Sequence, residues 1–188
     1  MGNLRTLLCL EGNNISEQFD VIAKELFQNY QIVKGDRTYE FWEIEFYYFN
    51  QSHIDVITYP RTTNAGLWFF HVSGVDITFQ SVEGEFYGGI LIRGIKERNG
   101  KIISGPIKCV DKLFDVFDIE DDSFNAKAMP KIVAKDNAIS VTIEKTERWI
   151  PNGEKKIESK CKKMNLDFED CKKYLKLPYR YIVAKDDK

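Results

Sequence analysis

The chain has 188 residues, a length suited to one domain, and its 43 % hydrophobic and 30 % charged content describes a sequence that packs a core and excludes intrinsic disorder. A formal net charge of −2 excludes the overall basicity that marks many nucleic-acid-binding proteins, so any contact with phosphates falls to local patches. Four cysteines (Cys9, Cys109, Cys161, Cys171) with no Cys-x-x-Cys pair, and two histidines (His53, His71), make a zinc site an unsuitable reading and suggest reduced thiols in a cytoplasmic protein.

In chain order, "MGNLRTLLCLEG" has an apolar run too short to span a membrane and no signal-peptide cleavage pattern, although it fits the loose N-myristoylation pattern. Residues 16–30 form an amphipathic helix, with Ser16 as its cap and Phe19, Ile22, Ala23, Leu26 and Phe27 at helical spacing. Residues 31–34 and 38–49 are strands joined by the turn "KGDR", and "SHIDVITYPRTTN" is an irregular connection. Strands follow at 66–72, 75–79 and 86–96, with Gly88 and Gly89 marking a bulge or a close backbone approach. "ERNGK" is a tight hairpin turn, because Asn-Gly supplies positive backbone angles. A helix at 106–117 begins at Pro106, and "AISVTIEK" is a strand. Residues 155–163 hold five lysines, a run that defaults to a solvated face. A short helix at 167–175 and the strand "PYRYIV" close the order. The fold class expected is α+β, a single compact domain over residues 1–188 with a curved, mostly antiparallel mixed sheet flanked by helices.

The stretch "YEFWEIEFYYFNQSH" (residues 39–53) poses the functional question. In a strand alternate side chains point to opposite faces, so Trp42, Ile44, Phe46 and Tyr48 share one face and Glu43, Glu45 and Tyr47 the other. Two carboxylates and a tyrosine on one side are either a wet face or the wall of a pocket where a carboxylate works beside aromatic rings. Arg93, between Ile92 and Ile95, needs an anionic partner if it is buried; Glu45 is the first candidate and Asp76 the second. His71 reads as a core histidine with one hydrogen bond.

The segments "AKELFQN", "WEIEFYY", "SHIDVITYPRTTNAGLWFF", "GGILIRGI", "SGPIKCVDKL" and "PYRYIV", taken in this order, resemble the alkyladenine (3-methyladenine) DNA glycosylases of the methylpurine type. The resemblance spans most of the chain and rests on the order of six short motifs. It implies a compact mixed fold and a monofunctional hydrolase, needing neither cofactor nor metal, that releases an alkylated purine flipped out of DNA. By that resemblance Glu45 matches the water-activating glutamate and Arg93 the arginine near the glutamate and the target phosphate. Tyr47, His53 and Phe70 match base-binding residues, and Glu43 the outer glutamate, without a chemical role. Ser73 in "SGVD" stands where the family inserts a tyrosine wedge, and Gln80 where an Asn limits which purines enter. The DNA-contacting candidates are Arg61 in "YPRTTN", Ser73 and Arg180 in "PYRYIV", together with the lysines at 155–163.

Three functions follow as expectations. The first is a base-excision glycosylase acting as a monomer on DNA with alkylated purines. The second is a glycosylase-like fold without repair activity that binds a nucleoside-like ligand or a protein. The third is a hydrolase of free nucleosides. An alkylated purine leaves readily, because its positive charge is neutralised as the bond breaks. The chemistry then asks for one carboxylate to direct water and for aromatic faces to hold the base.

Overall fold

The structure is a computed structural model that describes residues 3–115, 117–118, 123–124 and 129–184. A short helix, α1 (Leu4–Leu7), is capped by the Asn3 side chain and leads to α2 (Ile15–Asn29). Helix α2 buries the stripe its spacing predicts: Phe19, Ile22, Ala23, Leu26 and Phe27. Its N-cap is Asn14, and the Ser16 hydroxyl instead bonds the Tyr179 hydroxyl at 2.9 Å. The chain passes from α2 into β1 (Tyr30–Lys34), turns at Gly35 with φ +58°, and returns as β2 (Arg37–Asn50).

Strand β2 is the spine of the sheet. Along one edge it pairs with β6 (Tyr87–Glu97). Along the other it pairs in turn with β1, with the closing strand β12 (Arg180–Val183) and with β3 (His53–Ile54). Beyond β6 lie β5 (Gly74–Thr78) and the edge strand β4 (Trp68–His71). Strand β7 (Ile102–Ser104) pairs with β6 across the Asn-Gly turn, and α3 (Pro106–Leu113) follows, ending before the 117 expected. Strands β8 (Phe117–Asp118) and β9 (Ser123–Phe124) pair antiparallel as a separate two-stranded sheet. Strand β10 (Lys131–Ala134) extends the sheet beside β1, and β11 (Ile143–Thr146) pairs with β12. The ten-stranded sheet curls into a half-barrel flanked by helices, the α+β fold with a curved, mostly antiparallel sheet that was expected; every strand pairing among the described residues is antiparallel.

A bulge in β2 decides which side chains face which way. The pairing with β6 slips between Phe41 and Glu43 and again before Ile44. Tyr39 and Phe41 therefore face the core ahead of the slip, and Ile44, Phe46 and Tyr48 after it. Trp42, expected on the core face with Ile44, is only partly buried, with the Lys96 ammonium 5.5 Å from its ring. On the core face Phe19 of α2 stacks on Phe46 at 4.4 Å, with Phe79 at 6.1 Å. Burying a side chain of this size contributes about 2 kcal/mol, which holds α2 to the sheet.

The lysine run at 155–163 is more than a solvated face. It lies in helix α4 (Gly153–Met164), whose Ile157 and Cys161 are buried one turn apart. With Cys171 of α5 (Phe168–Lys172) they pack on Phe49, Val56 and Tyr87 in a second apolar cluster. A single 3-10 turn, Lys173–Leu175, then leads toward β12. The glycines at 88 and 89 mark close approach rather than a bulge, since their pairing with β2 is regular. A Cβ at Gly88 would collide with the Tyr47 carbonyl oxygen.

Candidate functional site

One transverse row of the sheet builds the floor of the site. Register places Arg180 of β12 beside Glu45 of β2, Glu45 beside Leu91 of β6, Leu91 beside Asp76 of β5, and Asp76 beside Phe69 of β4. Cross-strand neighbours share a face, so these side chains lie together on the side away from α2. Two residues along each strand from that row stand Glu43 and Tyr47 on β2, Arg93 on β6 and His71 on β4.

Glu43 and Glu45 differ in their partners. Arg93 Nε donates to Glu43 Oε1 at 2.7 Å, and Arg180 Nε lies 2.8 Å from the same oxygen. Glu45 receives weaker contacts from Arg93, with Nε 3.4 Å from Oε1 and Nη1 3.4 Å from Oε2. The Tyr47 hydroxyl donates to Glu45 Oε2 at 2.7 Å. Arg93 thus pairs with Glu45, the first partner expected from sequence, only through the longer contacts, and not with Asp76, the second. Glu43 takes the shorter contact because the bulge sets it opposite Gly94, where the missing side chain leaves room: a Cβ there would lie 3.0 Å from the Glu43 Cβ.

Glu45 is 0 % exposed, and Oε1 has no hydrogen-bond partner among the described residues. Burial pushes its carboxyl above the usual range; Arg93, the Tyr47 hydroxyl and the more distant Arg148 and Arg180 pull the other way, and burial wins. Burial first, then the neighbouring Glu45, pushes the Tyr47 phenol well up, so Tyr47 stays protonated and donates.

Beneath Tyr47 lies Arg148, whose side chain is 0 % exposed and whose guanidinium carbon is 4.6 Å from the Tyr47 ring centroid. Arg148 donates to Asp55 Oδ2 at 2.5 Å, to the Phe46 carbonyl at 3.0 Å and to the Tyr174 carbonyl at 2.8 Å. It ties β2, the loop after β3 and the C-terminal helices together. "ERWIPNG" has no periodicity that would have marked it in the sequence.

On the β5 side Asp76 joins two groups. Arg61 Nη2 donates to Asp76 Oδ2 at 2.9 Å, and His71 Nε2 bonds Asp76 Oδ1 at 3.0 Å. The Ser73 N–H donates to His71 Nδ1 at 3.2 Å, which makes Nε2 the protonated nitrogen. The Arg61 guanidinium sits 3.8 Å above the Phe69 ring, over Gly89, where a Cβ would be 3.1 Å from Nη1. Arg61 Nη1 has no hydrogen-bond partner among the described residues.

Above this floor opens a pocket of about 430 Å³ lined by Tyr47, Arg93, Arg61, His71, Asp76 and Ser73 from the sheet side. Tyr59, Trp149, Lys156 and Lys160 line the other side. The volume falls in the range of small-ligand sites, about 300–1,000 Å³. Of the residues expected from sequence, the structure brings Tyr47, Arg93, Arg61 and Ser73 to this pocket, with Glu45 bonded directly behind Tyr47 and Arg93.

The remaining expected residues lie elsewhere. His53 is on the core side, 4.6 Å from the Tyr174 ring and 5.6 Å from that of Tyr179, and the pocket histidine is His71. Phe70 is exposed on the edge strand against Phe114, at 4.6 Å. The Gln80 side chain accepts the Ala65 N–H at 3.3 Å. Arg180 is held by Glu43, so it does not present a free guanidinium to solvent; Arg61, although at the pocket, is likewise buried against Asp76. The lysines at 155–163 were expected as a DNA-contacting patch, and Lys156 and Lys160 line the pocket. Trp149, Tyr59 and the helix that carries these lysines were not expected from sequence; the i, i+4 spacing of Ile157 and Cys161 is the pattern that places that helix.

Among the described residues no helix is long and apolar enough to cross a membrane, and no three His, Cys, Asp or Glu side chains are grouped to hold a metal ion. No protein-family model matches the chain. The chain is similar to an uncharacterized protein of Acanthamoeba polyphaga mimivirus, 27 % identical over 127 residues. The match covers 54 % of this chain and 59 % of the viral protein, so the chain spans less than two thirds of that relative's length.

Proposed function

We propose that the pocket receives a purine base extruded from DNA and that the protein hydrolyses its N-glycosidic bond. The observation that carries this reading is the convergence of Glu45, Tyr47 and Arg93 under one pocket whose far side carries Tyr59 and Trp149 with Lys156 and Lys160. In the step proposed, Glu45 takes a proton from a water whose oxygen bonds to the anomeric carbon. The carbon–nitrogen bond breaks, and its electron pair leaves with the base. A carboxylate held above its ordinary pKa is a better base near neutral pH than an exposed one. Tyr47 and Tyr59 offer electron-rich faces that favour a cationic, alkylated base by about 0.5–2 kcal/mol per good contact.

One observation favours binding without bond cleavage. Glu45 is sealed from solvent, with Tyr47 and Arg93 between its carboxyl and the pocket, so water reaches it only if one of them moves. The two readings separate in one experiment. Duplex and single-stranded oligonucleotides carrying different alkylated purines are incubated with the protein, and abasic sites are scored by strand cleavage. Base release that falls about 100-fold or more in Glu45→Gln supports the hydrolase. Release at the parental rate in that variant removes Glu45 from the chemistry. Tight binding with no abasic product leaves the binding module, and product from free nucleosides alone moves the substrate from DNA to nucleosides.

A further inference from the structure

The lip of the pocket carries an aromatic side chain that the fold itself does not use. Trp149 is 66 % exposed, and among the described residues its ring has no stacking or hydrogen-bond partner. Its backbone is nevertheless fixed on both sides. The preceding residue is the fully buried Arg148, held by Asp55 and two backbone carbonyls. The following turn is closed by the Gly153 N–H donating to the Ile150 carbonyl at 3.1 Å, with Asn152 in the left-handed region at φ 55°. Gly153 is buried so closely that a Cβ would meet Leu175 at 3.0 Å. An exposed indole on an immobilised backbone is organised in advance for a planar partner and gives up little freedom on binding.

Charge beside the indole selects the kind of partner. Lys156 and Lys160 of α4 line the same pocket, and Lys163 follows on the same helical face at i+7. Lys160 spends two donors on the carbonyls of Ile57 and Thr58, at 3.0 and 3.4 Å. Lys156 and Lys163 have no carboxylate within ion-pair distance among the described residues. A flat aromatic face next to unneutralised lysines matches a nucleobase and its flanking phosphates. We infer that Trp149, Lys156 and Lys163 form a stacking platform for an unpaired nucleotide of a nucleic-acid strand at the mouth of the pocket. The inference rests on the nucleic-acid part of the reading above and not on the glycosidic chemistry.

The test uses a short fluorescent single-stranded oligonucleotide without damaged bases, followed by anisotropy at low and moderate salt and by intrinsic tryptophan emission. The protein binds it and its emission is quenched. Trp149→Ala weakens binding about ten-fold or more, whereas Trp149→Phe keeps a ring, retains most of the affinity and loses the quenching. The double variant Lys156→Gln/Lys163→Gln lowers the slope of log affinity against log salt by about 1.4, at about 0.7 per phosphate on a single strand. Absence of binding at low salt, parental affinity in Trp149→Ala, or equal binding of a polyglutamate of similar charge overturns the platform. Base release from an alkylated oligonucleotide is followed in parallel. If it is absent while binding and quenching persist, the glycosidic reading fails and the platform stands.

Discussion

Acidification tests the placement of His53 directly. The imidazole is packed among the rings of Phe19, Tyr48, Tyr174 and Tyr179, and its Nε2 has no hydrogen-bond partner among the described residues. Burial pushes its pKa down to about 4, against the pull of Asp55 and with the help of Arg148 and Lys173. In the unfolded chain an ordinary histidine takes up its proton near 6.5. Between these two values the unfolded state binds more protons than the folded one, so stability falls as pH falls. The stability in question is complete above pH 6.5 and is lost progressively down to about pH 4. At about 1.4 kcal/mol per pH unit across that interval, the loss is about 3 kcal/mol. His53→Phe keeps an aromatic ring of similar volume and removes the titration. Urea unfolding of both proteins at intervals between pH 7 and pH 4 isolates this group, because every other carboxylate and histidine is shared. The variant is expected to lie within about 1.5 kcal/mol of the parent at pH 7 and to become the more stable of the two by pH 4.5. Stability curves that stay parallel across the whole range would refute burial of a neutral His53.

The carboxyls and the buried arginine give further tests. Because burial raises Glu45, base release should climb with pH along an acid limb above the ordinary carboxylate value of 4.5, and a limb at or below that value would contradict the environment described. Glu43→Gln removes a neighbouring negative charge and frees Arg93 to approach Glu45. Both effects favour the ionised form, so a carbon-detected NMR titration of the side-chain carboxyls should show Glu45 moving to lower pH, and an upward move would refute the pairing. Arg148→Met strands Asp55 without its partner inside the protein and should cost about 3–5 kcal/mol in denaturant unfolding, with part of the loss restored by adding Asp55→Leu. A cost under about 1 kcal/mol would place Arg148 at the surface.

The sequence carried the core face of the fold well and the opposite face in part. The stripe on α2, the long strand β2 and the Asn-Gly hairpin are local patterns, in which a few residues specify a period or a turn. Glu45, Tyr47 and Arg93 could be singled out because polar groups on apolar strands stand against their surroundings. What the sequence did not carry is register. The bulge at Trp42 depends on a slip against β6, and that slip is what hands Arg93 to Glu43. The side on which His53 falls depends on β3 folding back onto β2 for only two residues, too short a strand to show a period. The helix α4 was hidden because its lysines outnumber the two apolar side chains that dock it. Arg148 and Asp55 meet across the fold from 93 residues apart, and no local pattern encodes such a pair.

The arrangement around Glu43 and Glu45 explains how one strand holds two carboxylates on the same face. Two buried negative charges this close would repel unless cations are shared between them, and a burial penalty of several kcal/mol falls on each ion. The cations are shared unequally. Glu43 holds Arg93 at 2.7 Å and Arg180 at 2.8 Å, a clamp that ties β2 to both of its neighbours. Glu45 is left with Arg93 at 3.4 Å and a neutral donor, the Tyr47 hydroxyl. That donor is locked in its protonated form by the same burial, so it steadies the carboxylate without supplying a full charge. Burial shifts this carboxyl toward its neutral form, whereas a second clamped arginine would have favoured the anion. Asymmetric pairing thus separates the two glutamates, with Glu43 joining strands and Glu45 the carboxyl that burial pushes above its usual range. Glu45 also keeps an oxygen, Oε1, that no donor in the described protein satisfies. Under the proposed hydrolysis, a water admitted between Tyr47 and Arg93 would find that oxygen as its acceptor.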